Sequence, residues 1–364
     1  MLYNEFNGMS VSALGLGCMR LPLNSQDETD INEAAVAEMV KVSLEKGINY
    51  FDTAWRYHGG NSETVMGKVL SKYPRDSYYI ASKFPGFSIE SFENPAAIFE
   101  EQLRKCQVSY FDFYLVHNLC ERNVEWLLDP KYGAVEYLIQ QKKAGRIRNL
   151  GFSTHGSRAV IQRFLDAYAS ELSFCQIQLN YLDWKLQSAK EKVELLNRYN
   201  IPIWVMEPVR GGRLVNLPED AKQKLEALRP GVSTPEWAFR FLQSIDGVKV
   251  ILSGMSNMQQ LLENIETFSS HKPLTDAEME VVMSIADDMI RANRVPCTAC
   301  SYCTEHCVRG LNIPELIKAY NEDTKPEGVT PDQCIACRKC ESLCPQGIKI
   351  SRIMRSFAEK LERK

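Results

Sequence analysis

Apolar and polar positions change rhythm repeatedly along this chain. From about residue 11 to 252, short β-branched or aromatic runs alternate with segments whose apolar residues recur at helical spacing, the pattern of a parallel α/β protein. Eight runs read as strands, roughly 11–17, 48–52, 78–83, 111–117, 147–152, 174–178, 201–206 and 248–252. Amphipathic stretches lie between them. In 31–46, Val36, Met39, Val40 and Leu44 share one face and Gly47 supplies the stop, and 233–245 opens with the capping-box pattern Ser233-Thr-Pro-Glu236. Right-handed crossovers put helices outside and strands inside, so eight such units predict an α/β fold of the closed (β/α)8 TIM-barrel type. An open doubly wound sheet is the alternative, but no G-x-G-x-x-G turn follows the first strand.

A last amphipathic helix over 275–293 begins with Thr275-x-x-Glu278 and carries Met279, Val282, Met283, Ala286 and Ile290 at helical spacing. Beyond it the composition shifts. Residues 291–364 hold 13 Lys and Arg against 9 Asp and Glu, a formal charge of +4, whereas the whole chain carries -3. A length of 364 residues leaves room for a barrel of roughly 250 residues and an appendage; the expected division is 1–290 and 291–364. The apolar fraction of 45% and charged fraction of 24% fit a globular protein with a sizeable core. Such a balance points to no nucleic-acid partner. No run approaches the roughly 18 apolar residues of a spanning helix, so no membrane partner is expected. The first residues lack the basic and apolar regions of a signal peptide, which makes the cytoplasm the expected location.

The twelve cysteines are unevenly placed. Cys18, Cys106, Cys120 and Cys175 are scattered, and the other eight fall between Cys297 and Cys344, a clustering that argues for metal rather than disulfides. Cys297-x-x-Cys300-x-x-Cys303-x-x-x-Cys307 and Cys334-x-x-Cys337-x-x-Cys340-x-x-x-Cys344-Pro345 each follow the spacing of bacterial-type [4Fe-4S] motifs, in which a tight turn of three thiolates suits one face of a cubane. Zinc, the alternative, usually takes two separated pairs. Two thiolate-ligated clusters of about 2− charge each would bring the basic segment near neutrality. The expected C-terminal part is therefore small, mostly helical and ferredoxin-like. His306 sits between ligands, and reads as a solvated or cluster-adjacent group because four thiolates already saturate each cluster.

Within the barrel, Asp52, Lys83 and His117 close the second, third and fourth strand runs, whose ends converge on one mouth where barrel enzymes place their chemistry. Tyr57 lies five residues beyond Asp52 in the loop above. These residue types suit carbonyl reduction: a developing alkoxide needs a proton from a weak acid, which tyrosine supplies if a nearby cation lowers its pKa. Lys83 is the expected cation, Asp52 its counter-ion, and His117 the group that orients or polarises the carbonyl oxygen. Singly each has an ordinary reading as cap, solvated end or packing group; together they favour catalysis.

The stretch 47–63, ending Gly60-Asn-Ser-Glu63, resembles the aldo-keto reductase signature, and Asp52, Tyr57, Lys83 and His117 match that family's catalytic tetrad. The resemblance spans about 1–290. It implies that Ser153, in Gly151-Phe152-Ser153, and Gln176 contact a nicotinamide carboxamide, with Thr154 standing where the family often has asparagine. Met206 stands where many members have an aromatic ring against the nicotinamide. Gly254, Ser256, Gln260 and Asn264 match the family's cofactor-phosphate segment, and a helix N-terminus suits a phosphate; the basic residues that commonly grip the 2′-phosphate of NADP are missing there, and Arg210 is the expected substitute. Similarity to two-cluster ferredoxins implies a crossed ligand set, Cys297, Cys300, Cys303 and Cys344 for one cluster and Cys334, Cys337, Cys340 and Cys307 for the other, although Val308 replaces the usual proline. Trp55, His58, the 118–133 loop and Trp184 are expected to line the substrate pocket.

The expected cofactors are two [4Fe-4S] clusters and NADP or NAD, with a flavin as the alternative. NAD(P)H-dependent reduction of a small-molecule aldehyde or ketone is the first reading. A flavin- or ferredoxin-linked redox enzyme, in which an external electron-transfer protein is the partner, and a non-catalytic redox-sensing barrel remain open.

Overall fold

The computed structural model describes residues 1–292, 294–304, 306–326 and 328–363. Met1–Pro208 with Gly231–Met279 form one compact unit, and Val209–Pro230 with Glu280–Lys364 a second.

The first unit opens with a hairpin, β1 (Tyr3–Phe6) and β2 (Met9–Ser12), followed by eight strands: β3 (Leu14–Gly17), β4 (Tyr50–Asp52), β5 (Tyr79–Phe84), β6 (Phe111–Leu119), β7 (Ile147–Thr154), β8 (Phe174–Gln178), β9 (Ile203–Met206) and β10 (Val248–Ser253). Strands β3 to β9 pair in sequence and all in parallel, and β10 closes the barrel between β9 and β3. Every predicted strand run thus contributes to the barrel. The run 11–17 is two elements rather than one: its first residues belong to the antiparallel hairpin, and only Leu14–Gly17 enters the barrel. The hairpin turns on Asn7 and Gly8, both at positive φ (48° and 77°), the two-residue geometry whose twist matches the flanking strands.

Sequence periodicity places the helices well. Glu33–Glu45 is capped by the Asn32 side chain on the Ala35 N–H, and Thr234–Gln243 by Ser233 on the Glu236 N–H. Asp276–Arg291 begins with a reciprocal box, in which the Glu278 carboxylate accepts from the Thr275 N–H at 2.8 Å and the Thr275 hydroxyl accepts from the Glu278 N–H at 3.4 Å. Asn293, the expected end of that helix, lies outside the described residues. No helix among the described residues is long and apolar enough to cross a membrane.

The barrel interior is aromatic. Tyr50, Phe113, Phe174 and Trp204 fill it, with Phe113 and Phe174 edge to face at 5.4 Å and Phe174 4.7 Å from Trp204. Gly151 is required there, because a Cβ would stand 2.5 Å from the Phe174 ring and 2.6 Å from its carbonyl oxygen. Phe6 of the hairpin reaches into the same cluster, 4.8 Å from Trp204 and 5.8 Å from Phe113. Truncating a ring so enclosed leaves a cavity, so Phe6→Ala is expected to destabilise the chain by about 3–5 kcal/mol in urea unfolding. A loss below about 1 kcal/mol would show that the hairpin packs only loosely.

The second unit is small and mostly helical. Ile313–Glu322 and Ile350–Glu362 pack Leu316, Ile317, Met354 and Phe357 into a core that Cys303 and Cys340 join and Cys297, Cys307, Cys334 and Cys344 border.

Candidate active site and cluster cradles

The four residues singled out in the barrel meet. Asp52 ends β4, Lys83 lies in β5 and His117 in β6 beside a register shift between Val116 and Leu119. Tyr57 begins a tight turn in which His58, Gly59 and Gly60 all have positive φ. The Lys83 ammonium, wholly buried, donates to Asp52 Oδ1 at 2.5 Å, to the Thr53 carbonyl at 2.8 Å and to the Tyr57 hydroxyl oxygen at 3.2 Å. An ammonium can only donate, so the phenol oxygen is the acceptor and its own O–H is left to point elsewhere. The Tyr57 and His117 rings are 6.1 Å apart and nearly perpendicular, and Phe87 packs on the other side of His117 at 5.0 Å.

Electrostatics correct one expectation. Lys83 was to lower the Tyr57 pKa, but burial pushes the phenol well above its ordinary value and the charges of Asp52, Cys18 and Glu207 push the same way. The phenol is thus held as a neutral acid. Burial pushes the Asp52 carboxyl upward, and Lys83 pulls against it. His117 is driven well below 6.5, first by burial and then by Lys83, His155 and Arg56, which keeps the imidazole neutral. Because the unfolded chain takes up a proton at this histidine below 6.5 and the folded chain does not, the linked stability is intact at neutral pH and lost as the pH falls through 6.5. His117→Gln is expected to flatten that acid loss by up to about 1.4 kcal/mol per pH unit in urea titrations. Parallel wild-type and variant profiles would contradict it.

His58 has both ring nitrogens engaged. Its Nδ1–H donates to the Glu28 carbonyl at 2.7 Å and its Nε2 accepts the Leu21 N–H at 3.1 Å, so it ties the Tyr57 turn to the loop after β3. Trp184, half-buried, packs edge to face on Phe241 at 5.7 Å. Trp55 is half-buried with the Lys105 ammonium 4.6 Å above its ring.

The residues assigned to the carboxamide gather around Ser153. Gln176 is its register partner on β8, and the Asn118 N–H donates to the Ser153 hydroxyl at 2.9 Å. Gln176 Oε1 and Asn118 Oδ1 are buried without a hydrogen-bond partner among the described residues. Two orphaned amide oxygens beside a serine suit a ligand that brings N–H donors, as a carboxamide does. Thr154 is otherwise engaged, donating to the Leu119 carbonyl and accepting the Gly156 N–H. Met206 ends β9 half-buried.

The phosphate segment is folded on itself. Asn257 caps the helix Met258–Thr267 through the Gln260 N–H, the Gln260 side chain accepts the Ser256 N–H at 2.8 Å, and the Ser256 hydroxyl donates to the Arg20 carbonyl. Arg20 also lies against Gly254 and reaches the Glu207 carboxylate at 3.5 Å. The Asn264 amide bonds Ser253 Oγ at 3.1 Å, joining helix to strand. Arg210 departs furthest from expectation. It is fully buried in the second unit, where its guanidinium donates to the Pro296 carbonyl at 3.2 Å and to the Gln346 side chain at 3.0 Å. It braces segments flanking the cysteine motifs, so the expected contact with a 2′-phosphate falls away.

Sequence reasoning missed several participants. Thr53 supplies the third acceptor for Lys83, and Asn123 staples the loops after β5 and β6 by donating to the Gly86 and Asn118 carbonyls. Cys18, wholly buried, follows β3 close enough to Asp52 and Lys83 for their charges to act on it. Asn118, adjacent to His117, takes a left-handed backbone (φ 57°) that no periodicity reveals.

In the second unit the eight cysteines line two cavities. Cys297, Cys300, Cys303 and Cys344 face one and Cys307, Cys334, Cys337 and Cys340 the other, with Ile350 in the wall of both. The two motif loops repeat one backbone device. Ala299 and Ser301 in the first, and Ala336 and Arg338 in the second, occupy equivalent positions and all have positive φ (51°, 60°, 54° and 60°). Left-handed residues of this kind turn successive N–H groups toward an enclosed anion. The Ala299 and Leu311 N–H groups lie 3.4 Å from Cys297 Sγ and Cys307 Sγ. Each cavity gathers four thiols, the number that a thiolate-held cubane takes. His306 borders the second.

Family comparison agrees with both halves. Residues 13–287 match the model of the aldo/keto reductase family, and residues 296–348 that of the 4Fe-4S dicluster domain. The chain belongs to the aldo/keto reductase family and is an oxidoreductase of that family with a C-terminal dicluster segment. Among its relatives, the uncharacterized oxidoreductase YqkF of Bacillus subtilis is 23% identical over 79% of this chain and 96% of its own length. The NADH-specific methylglyoxal reductase of Escherichia coli is 22% identical over 78% of this chain and 97% of its own. The holo form of aldo-keto reductase AKR11C1 from Bacillus halodurans superposes with a TM-score of 0.62 at 26% identity, covering 78% and 96% of the two chains. At 18% identity, an aldo/keto reductase from Klebsiella pneumoniae in complex with NADP and acetate shares the fold (TM-score 0.61, covering 77% and 93%).

Proposed function

We propose that the barrel reduces a small aldehyde or ketone at the expense of NADPH or NADH, with Tyr57 as the proton donor. The observation that carries this reading is the Lys83 ammonium bonded at once to Asp52 and to the Tyr57 oxygen, beside a neutral His117. The names of the relatives support it: one is an NADH-specific methylglyoxal reductase, and one structural neighbour holds NADP.

A nicotinamide bound against Ser153, Gln176 and Asn118 would supply hydride. The rest belongs to side chains of this chain. His117, neutral and braced by Phe87, orients the carbonyl oxygen toward the Tyr57 hydroxyl. Tyr57 gives its proton to that oxygen as charge develops on it. Lys83, already bonded to the phenol oxygen, then stabilises the phenolate left behind, which is where the cation acts on tyrosine acidity. Asp52 keeps the ammonium in place. With Arg210 committed elsewhere, the phosphate segment itself carries no basic residue, and Arg20, against Gly254, is the guanidinium at hand for a nucleotide phosphate of NADPH or NADH.

The functional division we propose follows 1–290 for the reductase and 291–364 for the cluster-bearing part, in the reducing cytoplasm. Its eight cysteines hold two [4Fe-4S] clusters in the crossed arrangement, as the two cavities suggest. Nicotinamides exchange hydride and clusters single electrons, so carbonyl turnover needs only the barrel. Protein reconstituted anaerobically and supplied with NADPH or NADH should consume the cofactor with an aldehyde panel and form the matching alcohols. Absence of any product across the panel, in protein with full iron content, would sink the proposal.

A further inference from the structure

The two cysteine-lined cavities are unequally covered. Around the first, Thr298 and Cys303 are buried and Cys297, Cys300, Ser301 and Tyr302 half-buried; around the second, every residue from Ile335 to Lys339 is exposed, Cys337 included. Ile335 and Val308, 59% and 52% exposed, are the most exposed large apolar side chains among the described residues, and both line the second cavity. Arg309 and Arg338 line it too. Arg352 and Arg355 are exposed on the helix that adds Ser351 and Met354 to its wall. Among the described residues none of these four arginines makes an ion pair. Of the nearby carboxylates, Asp332 is exposed, while Glu341 accepts from the Ser351 N–H at 2.8 Å and is turned inward.

Single exposed apolar side chains are ordinary. Two in the lining of one thiolate-lined cavity, with two exposed arginines in the same lining and two more on the adjoining helix, have the composition of a small transient interface: apolar side chains for contact and basic ones for steering. Electron-transfer encounters use such small faces, because the partners must separate after each transfer. We propose that this face docks a small acidic one-electron carrier protein and takes electrons from it at the site of Cys307, Cys334, Cys337 and Cys340. One electron moves per encounter; the carrier is oxidised by one unit, the thiolate-held centre is reduced by one unit, and no bond forms or breaks. The assignment rests on the reading that the eight cysteines hold two clusters.

The test uses the full chain, reconstituted anaerobically, with iron content and electron paramagnetic resonance establishing both clusters first. The probe is a purified acidic [2Fe-2S] ferredoxin, its affinity measured by calorimetry and its transfer rate, after chemical reduction, by stopped-flow absorbance. Saturable binding that weakens with salt is expected. Arg309→Glu with Arg338→Glu should weaken it about tenfold and slow transfer, while Lys41→Glu with Lys190→Glu, an equal charge change at two exposed barrel lysines, should leave both within about twofold. Equal effects of the two pairs, or no saturable binding by protein with both clusters, would overturn the docking face. A concentration-dependent dimer that Ile335→Asp abolishes, without carrier binding, would assign the face to a second copy of this chain. Protein that takes up no iron would remove the cluster reading and this proposal with it, and the iron measurement tells that failure from the others.

Discussion

Tyr57→Phe is expected to lower kcat for carbonyl reduction by about 10²–10⁴-fold with little change in stability. The ring keeps its contacts with His117 and with the Lys83 ammonium, 4.7 Å from its centroid; what disappears is one hydroxyl, worth about 1 kcal/mol of net folding energy. Lys83→Met is the informative companion. It removes the stabilising charge from the phenolate and also strands Asp52 without its partner in a wholly buried site. Loss of one member of a buried pair costs about 3–5 kcal/mol, so this variant should fail in both activity and urea midpoint, where Tyr57→Phe fails in activity alone. Rates for Tyr57→Phe within a factor of three of wild type would remove the phenol from the mechanism.

The second large effect concerns which cysteines share a cluster. Cys344 belongs by sequence to the second motif but faces the cavity of Cys297, Cys300 and Cys303. If ligation follows the cavities, Cys300→Ala with Cys344→Ala damages one cluster and should retain about half of the iron, whereas Cys337→Ala with Cys344→Ala damages both and should retain almost none. Ligation by sequence neighbours reverses the two results, and iron analysis of anaerobically purified variants decides between them. Because the small core around Leu316, Ile317, Met354 and Phe357 is bordered by the cysteines, the variant that loses both clusters should also lose helical signal from this segment.

Much of this was legible in the sequence, for physical reasons. A parallel barrel strand is buried on both faces, so runs such as 201–206 stand out as continuous apolar stretches, and motif spacing survives in the chain itself. The tetrad could be placed because strand ends of one barrel share a mouth. The hairpin was missed although Asn7-Gly8 is a strong turn signal; Val11, Ala13, Leu14 and Leu16 read as one strand, and only pairing shows that Ser12 and Leu14 belong to different sheets. Arg210 sits in Val-Arg-Gly-Gly-Arg, a composition typical of surface loops, and nothing local reports that carbonyl and amide acceptors more than 80 residues away enclose it. The sign of the Tyr57 shift was illegible for a related reason: desolvation depends on everything that surrounds a group, and the sequence names only the nearest charge. Cys18 and Asn118 became visible only once register and a left-handed backbone had set them beside the tetrad.

The aromatic floor has a kinetic corollary. With Phe6, Phe113, Phe174 and Trp204 packed together inside it, the barrel interior is filled, and Asp52, Tyr57 and Lys83 gather on one side of it. If nucleotide and carbonyl compound meet at the Tyr57 hydroxyl as proposed, both come in from that side, and an excess of the alcohol should slow turnover by standing in the way of the next substrate.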